Sequence, residues 1–101
     1  MPQDTVHVIA IFYAEMGKED EMEVALRELI EPTRRETGCI RYDLLRSFPG
    51  VSPVELVFVE EWASVEALDA HGRMPHLQGL RERVQHLLAA PPHVIRHRQI
   101  G

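Results

Sequence analysis

The sequence predicts an α+β domain with the element order β-α-β-β-α-β, the order of a ferredoxin-like split βαβ sheet. Three observations predict it. Two nine-residue runs, Thr5–Tyr13 and Val54–Trp62, are dominated by β-branched and aromatic residues. Apolar residues recur at helical spacing over 18–36 and again over 76–88. Glycines and prolines fall between these stretches, at Gly17, Gly38, the Phe48-Pro49-Gly50 turn, Pro53, Gly72, Pro75 and Pro91-Pro92.

Taken in order, the first strand alternates Val6, Val8, Ala10 and Phe12 on one face with Ile9, Ile11 and Tyr13 on the other. Both faces are apolar, so both should be covered. After Gly17 the period changes. Met22, Ala25, Leu26, Leu29 and Ile30 make one helical stripe. Glu19, Asp20 and Glu21 stand in the first turn, where the helix dipole favours anions, and Arg34 and Arg35 stand near the other end. Pro32 should bend this helix without ending it, leaving a carbonyl near Glu28 without its usual partner. Gly38 is the next good stop. Cys39–Arg46 returns to strand composition, and Val54–Trp62 is the second strong strand. Ser64 is positioned to cap a short helix over Val65–His71. His76–Leu88 carries Leu77, Leu80, Val84, Leu87 and Leu88 at helical spacing, and His93–Ile100 reads as a last strand. Two helical stretches cover one face of a sheet. A second copy of the chain is the simplest cover for the other face, so a two-fold homodimer with packed sheets is expected.

Bulk properties narrow the class. One hundred and one residues, 45% hydrophobic and 27% charged, suit one domain with a modest core, here about residues 5–99. Eleven basic against sixteen acidic residues leave a net charge of −5, which argues against a nucleic-acid partner. No apolar run approaches the roughly 20 residues of a membrane span. Met1-Pro2-Gln3-Asp4 does not open a secretory leader, so a cytoplasmic location is expected. The single cysteine, Cys39, forms no intrachain disulfide and reads as a small, inert core residue. There is no phosphate-binding glycine loop, no dinucleotide fingerprint, no C-x-x-C and no H-E-x-x-H, so no cofactor and no metal is expected. His71 and His76 are five residues apart across a break and do not share a helical metal face.

One stretch carries more information. Gly38-Cys39-Ile40-x-Tyr42 follows the amphipathic helix. Glu60-x-Trp62-x-Ser64-x-Glu66-Ala67-Leu68-x-x-His71 and Met74-Pro75-His76 come later, and Met16-Gly17-Lys18-Glu19 turns into the first helix. Together these resemble the antibiotic-biosynthesis-monooxygenase family over about residues 5–99. The resemblance implies a dimeric α+β barrel and a cofactor-independent monooxygenase acting on a small electron-rich phenol or quinol. A family branch degrades haem, with an Asn on the first strand and a haem-ligating His on the last helix. Here the first strand has no Asn and that helix position falls near Arg81, so haem chemistry is not expected. A non-redox isomerase of the same fold is one alternative. A non-catalytic dimeric ligand-binding or stress-response module is the other.

The candidate catalytic residues are His71 and Glu60. Histidine takes or gives a proton near neutral pH, and His71 ends a short helix beside a glycine. The competing role is a hydrogen bond that fixes the helix end. Glu60 shares a strand face with Phe58 and Trp62, and a carboxylate among apolar neighbours needs a partner. Pairing with His71 would supply one; an arginine or a backbone cap would equally. Trp62, Phe58 and His76 are candidate substrate contacts. For Trp62 the competing role is core packing, and for His76 a hydrogen bond at a helix start.

Overall fold

The computed structural model describes residues 5–101. The four residues read above for a leader lie outside the described stretch. The chain runs β1 (Val6–Ala14), α1 (Glu19–Arg27), α2 (Ile30–Arg34), β2 (Cys39–Arg46), β3 (Val54–Trp62), α3 (Val65–Gly72), α4 (Pro75–Val84) and β4 (His93–His97). The four strands form one antiparallel sheet in the order β2-β3-β1-β4. This is the expected ferredoxin-like arrangement, with all helices on one face.

Strand alternation decides which side chains meet the helices. Val6, Val8, Ala10, Phe12 and Ala14 of β1 are buried, and in register across from them stand Trp62, Glu60, Phe58 and Leu56 of β3. Met22, Ala25, Leu26 and Leu29 close over this face from the first helical stretch, and Leu77, Leu80, Val84 and Leu87 from the second. Three aromatic rings link neighbouring strands on this face. Tyr42 of β2 stacks on Phe58 at 4.5 Å, and Phe12 meets Phe58 edge-on at 6.2 Å. The opposite sheet face carries Ile9, Ile11, Val57 and Val59 half-buried, with Leu45 and Ile95 exposed.

One interruption and three boundaries differ from expectation. The first helix is interrupted at Glu28-Leu29 and resumes as α2, which continues through Pro32. The interruption falls one turn before the proline because its ring crowds the carbonyl four residues back, Glu28, and offers it no N–H. There the chain tightens, with Glu28 and Leu29 donating to Ala25 and Leu26 at 3.2 and 3.1 Å. Helix then ends at Arg34, and Glu36 lies in the following bend rather than in a helical turn. The second helical stretch loses α-geometry at Gln85, where a short 3₁₀ turn carries Leu87 into the core. The last strand stops at His97, three residues short of Ile100.

Ser64 acts as the sequence implied, whereas Gly38 does not stop the helix, which ends at Arg34, and instead turns the chain into β2. Ser64 Oγ accepts from the Ala67 N–H at 3.1 Å and starts α3. Gly38 adopts φ +86, and a Cβ there would stand 2.5 Å from the Ala67 Cβ. Its carbonyl also accepts from the Ala63 N–H at 2.8 Å. Gly38 therefore lets the turn after α2 lie directly against α3.

Candidate active site

A cavity of about 310 Å³ opens between the sheet and the second helical stretch. Its floor is apolar: Val8, Ala10, Phe12, Phe58, Leu68 and Leu77. The polar groups on its wall are few, among them Glu60, His71, Tyr42 and Arg81. A small apolar space with a few convergent polar groups is the usual form of a small-molecule site.

His71 is buried at the end of α3, its side chain 6% exposed. Its ring is held between two aromatics, Trp62 at 4.7 Å and Tyr42 edge-on at 5.6 Å. Its Nδ1 lies 2.9 Å from Glu36 Oε2. A carboxylate only accepts, so Nδ1 carries the hydrogen and Nε2 is left with its lone pair. Among the described residues Nε2 has no hydrogen-bond partner, and it is not one of the sealed polar atoms. Burial holds the imidazole below its ordinary pKa, an effect that Glu36 partly offsets through its hydrogen bond and charge. At neutral pH the ring is a neutral base.

Glu36 was not visible as a site residue in the sequence. It comes from the bend after α2, and only 5% of its side chain is exposed. The same Oε2 also faces His76 Nε2 at 2.7 Å. One oxygen thus takes hydrogens from two imidazoles, while the other, Oε1, is buried with no partner. The break between α3 and α4 makes this convergence. Met74 is extended, Pro75 begins α4, and His76 swings back toward the end of α3.

Glu60 and His71, one of the pairings considered, do not hydrogen-bond to each other directly. Glu60 Oε1 accepts from the Trp62 indole N–H at 2.8 Å. Residues two apart on a strand share a face, and the indole reaches its neighbour before the helix does. Burial pushes the Glu60 carboxyl up to about 7; the Trp62 hydrogen bond opposes this and the charge of Glu36 adds to it. Glu60 and His71 line the same cavity, each with a different partner behind it.

The other named residues divide. Phe58 lines the cavity. Trp62 does not: it is wholly buried and backs both Glu60 and His71. His76 does not line it either, standing on the far side of Glu36 with 26% of its side chain exposed. Cys39 is half-buried, and burial with the nearby charges of Glu36 and Glu60 pushes its thiol up to about 11, which makes it unreactive. Arg81 is the other feature missed in the sequence. It projects from α4 to the cavity and has no ion-pair partner among the described residues. Arg96, also on the wall, is tied to Asp69 at 2.7 Å.

A helix-covered antiparallel sheet, enclosing an apolar cavity with a histidine held on a buried carboxylate, defines a class: small ferredoxin-like α+β proteins with a cavity between sheet and helices. Comparison with known proteins makes this specific. The model of the family described as antibiotic biosynthesis monooxygenase matches residues 5–83, and the chain belongs to that family. It is similar to Rv0793 of Mycobacterium tuberculosis, 40% identical over 86 residues that span 85% of this chain and 82% of that protein. The solved structure of Rv0793 matches with a TM-score of 0.87 and 35% identity, covering 96% of both chains. SO0527 of Shewanella oneidensis matches with a TM-score of 0.87 and 34% identity, over 96% of this chain and 92% of that one. A solved antibiotic biosynthesis monooxygenase matches at 0.84 and 29% identity, over 95% and 99%. No helix among the described residues is long and apolar enough to cross a membrane.

Proposed function

We propose that this protein is a cofactor-independent monooxygenase that oxidises a small, electron-rich phenolic or quinol-type substrate with O₂. The observation that carries the proposal is His71. Its Nδ1 is fixed on a buried carboxylate while its Nε2 stands unbonded beside an apolar cavity. A neutral imidazole held in one tautomer is a general base ready to act.

In this reading Nε2 takes a proton from the bound substrate. The anion gives an electron to O₂, and the resulting radicals combine into a peroxide on the substrate carbon. Breaking the O–O bond, with the second hydrogen of that carbon leaving as a proton that restores the carboxyl of Glu60, leaves one oxygen as the new carbonyl, and the other departs as water with two protons. Glu60, poised near neutrality, is suited to supply one of these protons, and the imidazolium of His71 the other. The unpaired guanidinium of Arg81 favours the anionic substrate. Apolar walls exclude water and hold the intermediates in place.

The cavity volume suits one or two fused rings rather than a large polycycle. The half-buried apolar band on the outer sheet face, Ile9, Ile11, Val57 and Val59, is proposed to be covered by a second copy of the chain. That arrangement leaves the cavity on the helical side of each protomer.

Oxygen uptake with a panel of hydroquinones, anthrones and related phenols tests the activity. Uptake matched to product formation, and lost in His71→Gln, is expected. Substrate conversion without oxygen uptake would replace the proposal with an isomerase. Saturable binding with no conversion would make the protein a binding module.

A further inference from the structure

We propose that Glu36, His71 and His76 form a binding site for a divalent first-row transition cation of the zinc class. Occupancy of that site would switch His71 from a base to a hydrogen-bond donor.

Geometry carries the first half. One oxygen of Glu36 and one nitrogen from each imidazole all lie within 4.8 Å of one another, with the two Glu36 contacts at 2.9 and 2.7 Å. Ligands of a tetrahedral zinc at ~2.0–2.1 Å stand ~3.3 Å apart, so the two Glu36 contacts need to open by about half an ångström, while the two imidazole nitrogens, already within 4.8 Å, settle to the same spacing. Two imidazoles and one carboxylate are a donor set suited to zinc, cobalt and iron rather than magnesium or calcium. The second observation is independent: Glu36 Oε1 is sealed from solvent and has no partner. A buried carboxylate oxygen with nothing to accept is costly, and a cation at this corner would give it a positive charge to face. The site also has an entrance, since His76 is a quarter exposed at the start of α4.

Proton bookkeeping carries the second half, which rests on the reading of His71 as a base. Both imidazoles now direct N–H groups at Glu36. To ligate a cation, His71 must present the lone pair of Nδ1. The ring stays neutral, so its hydrogen moves to Nε2 through solvent, and no net charge is gained or lost. Nε2 then donates into the cavity instead of accepting. The bound cation would be an off-switch for proton abstraction, reached from the outer surface without entering the substrate space.

Cobalt(II) alone, titrated into the chelator-treated protein, tests binding by its visible d–d absorption. One saturable equivalent is expected. His76→Ala should weaken it by more than ~10²-fold, beyond the 10–100-fold that loss of an outer partner costs. His86→Ala, at a separate exposed histidine, should leave it unchanged. Absence of saturable binding, or equal binding in His76→Ala, overturns the site. Nitrogen NMR of the zinc-bound protein tests the switch without any substrate. A protonated Nε2 on His71 supports it, and an unprotonated Nε2 refutes it. Failure of these tests leaves the oxygenase reading to its own oxygen-uptake measurement, and failure of that measurement leaves the cation site standing.

Discussion

Replacing Glu36 with Gln separates an oriented base from a merely buried histidine. The amide keeps the shape of the side chain and removes its charge. Glu36 Oε2 now holds two N–H groups at 2.9 and 2.7 Å. Hydrogen bonds to a charged group contribute about 1.5–3 kcal/mol each, against about 0.5–1.5 for neutral ones. The loss across both bonds is therefore about 2–3 kcal/mol. It is partly offset, because an almost fully buried carboxylate no longer has to be desolvated. Net destabilisation should be small, about 0–2 kcal/mol. The effect on His71 should be larger. The new amide donates as readily as it accepts, so it can hold either tautomer, and the preference for a proton-free Nε2 disappears. General-base catalysis should fall by about 10²–10⁴-fold. Thermal melting gives the stability, nitrogen NMR of the His71 ring gives the tautomer, and oxygen consumption gives the rate. The reasoning is refuted if Glu36→Gln leaves the His71 tautomer and the turnover unchanged.

Glu60 makes a pH prediction. Its folded value of about 7 lies above the unfolded 4.5, so the native state holds the proton more tightly and stability falls as pH rises across that interval, by up to about 3 kcal/mol. Glu60→Gln should melt higher than the parent at about pH 8 and similarly at about pH 5; parallel pH profiles would contradict this. Gly38→Ala places a Cβ against Ala67 in a left-handed conformation and should cost about 2–4 kcal/mol, read by denaturant titration. A stability change under about 0.5 kcal/mol would show that the α2–β2 turn shifts freely. Val59→Lys should convert the expected dimer to a folded monomer near 11.6 kDa by light scattering while leaving small-molecule binding in the cavity intact. A monomeric parent protein would end the dimer proposal.

The fold was legible because its information is local. Alternation over Val6–Phe12 and the stripe from Met22 to Leu29 each specify a face, and Gly17, Gly38 and Ser64 mark where one period gives way to another. The site was legible only in part. His71 and Glu60 could be found by their chemistry and their position at element ends, and both line the cavity. Their partners could not. Trp62 stands two residues from Glu60, close enough to have been named as its hydrogen-bond donor. Glu36 lies 35 residues from His71 and 40 from His76. Nothing in its local sequence, Arg34-Arg35-Glu36-Thr37-Gly38, distinguishes it from an exposed charge near a helix end. Helix stops at Arg34 rather than at Gly38, which frees Glu36 to turn inward.

That displacement connects a local rule to the chemistry. Pro32 takes away one helical hydrogen bond at Glu28, and the helix is interrupted there. Gly38, free to adopt φ +86 and bare of a Cβ, brings the bend after α2 against Ala67 of α3. In the same bend the carboxylate of Glu36 arrives behind the ring of His71. A purely structural role for this network would be served as well by any arrangement that satisfied every polar atom. Instead it leaves two atoms without partners, Nε2 of His71 beside the cavity and Oε1 of Glu36 sealed behind it. Fully satisfied networks stabilise, and partly satisfied ones carry a cost that packing alone does not explain. The first open atom is where a substrate proton would go. The second belongs to the carboxylate whose other oxygen, Oε2, would hold the proposed cation between the two imidazoles. In the proposed reading, one buried carboxylate would hold His71 ready as a base or, with a metal bound, take that base away.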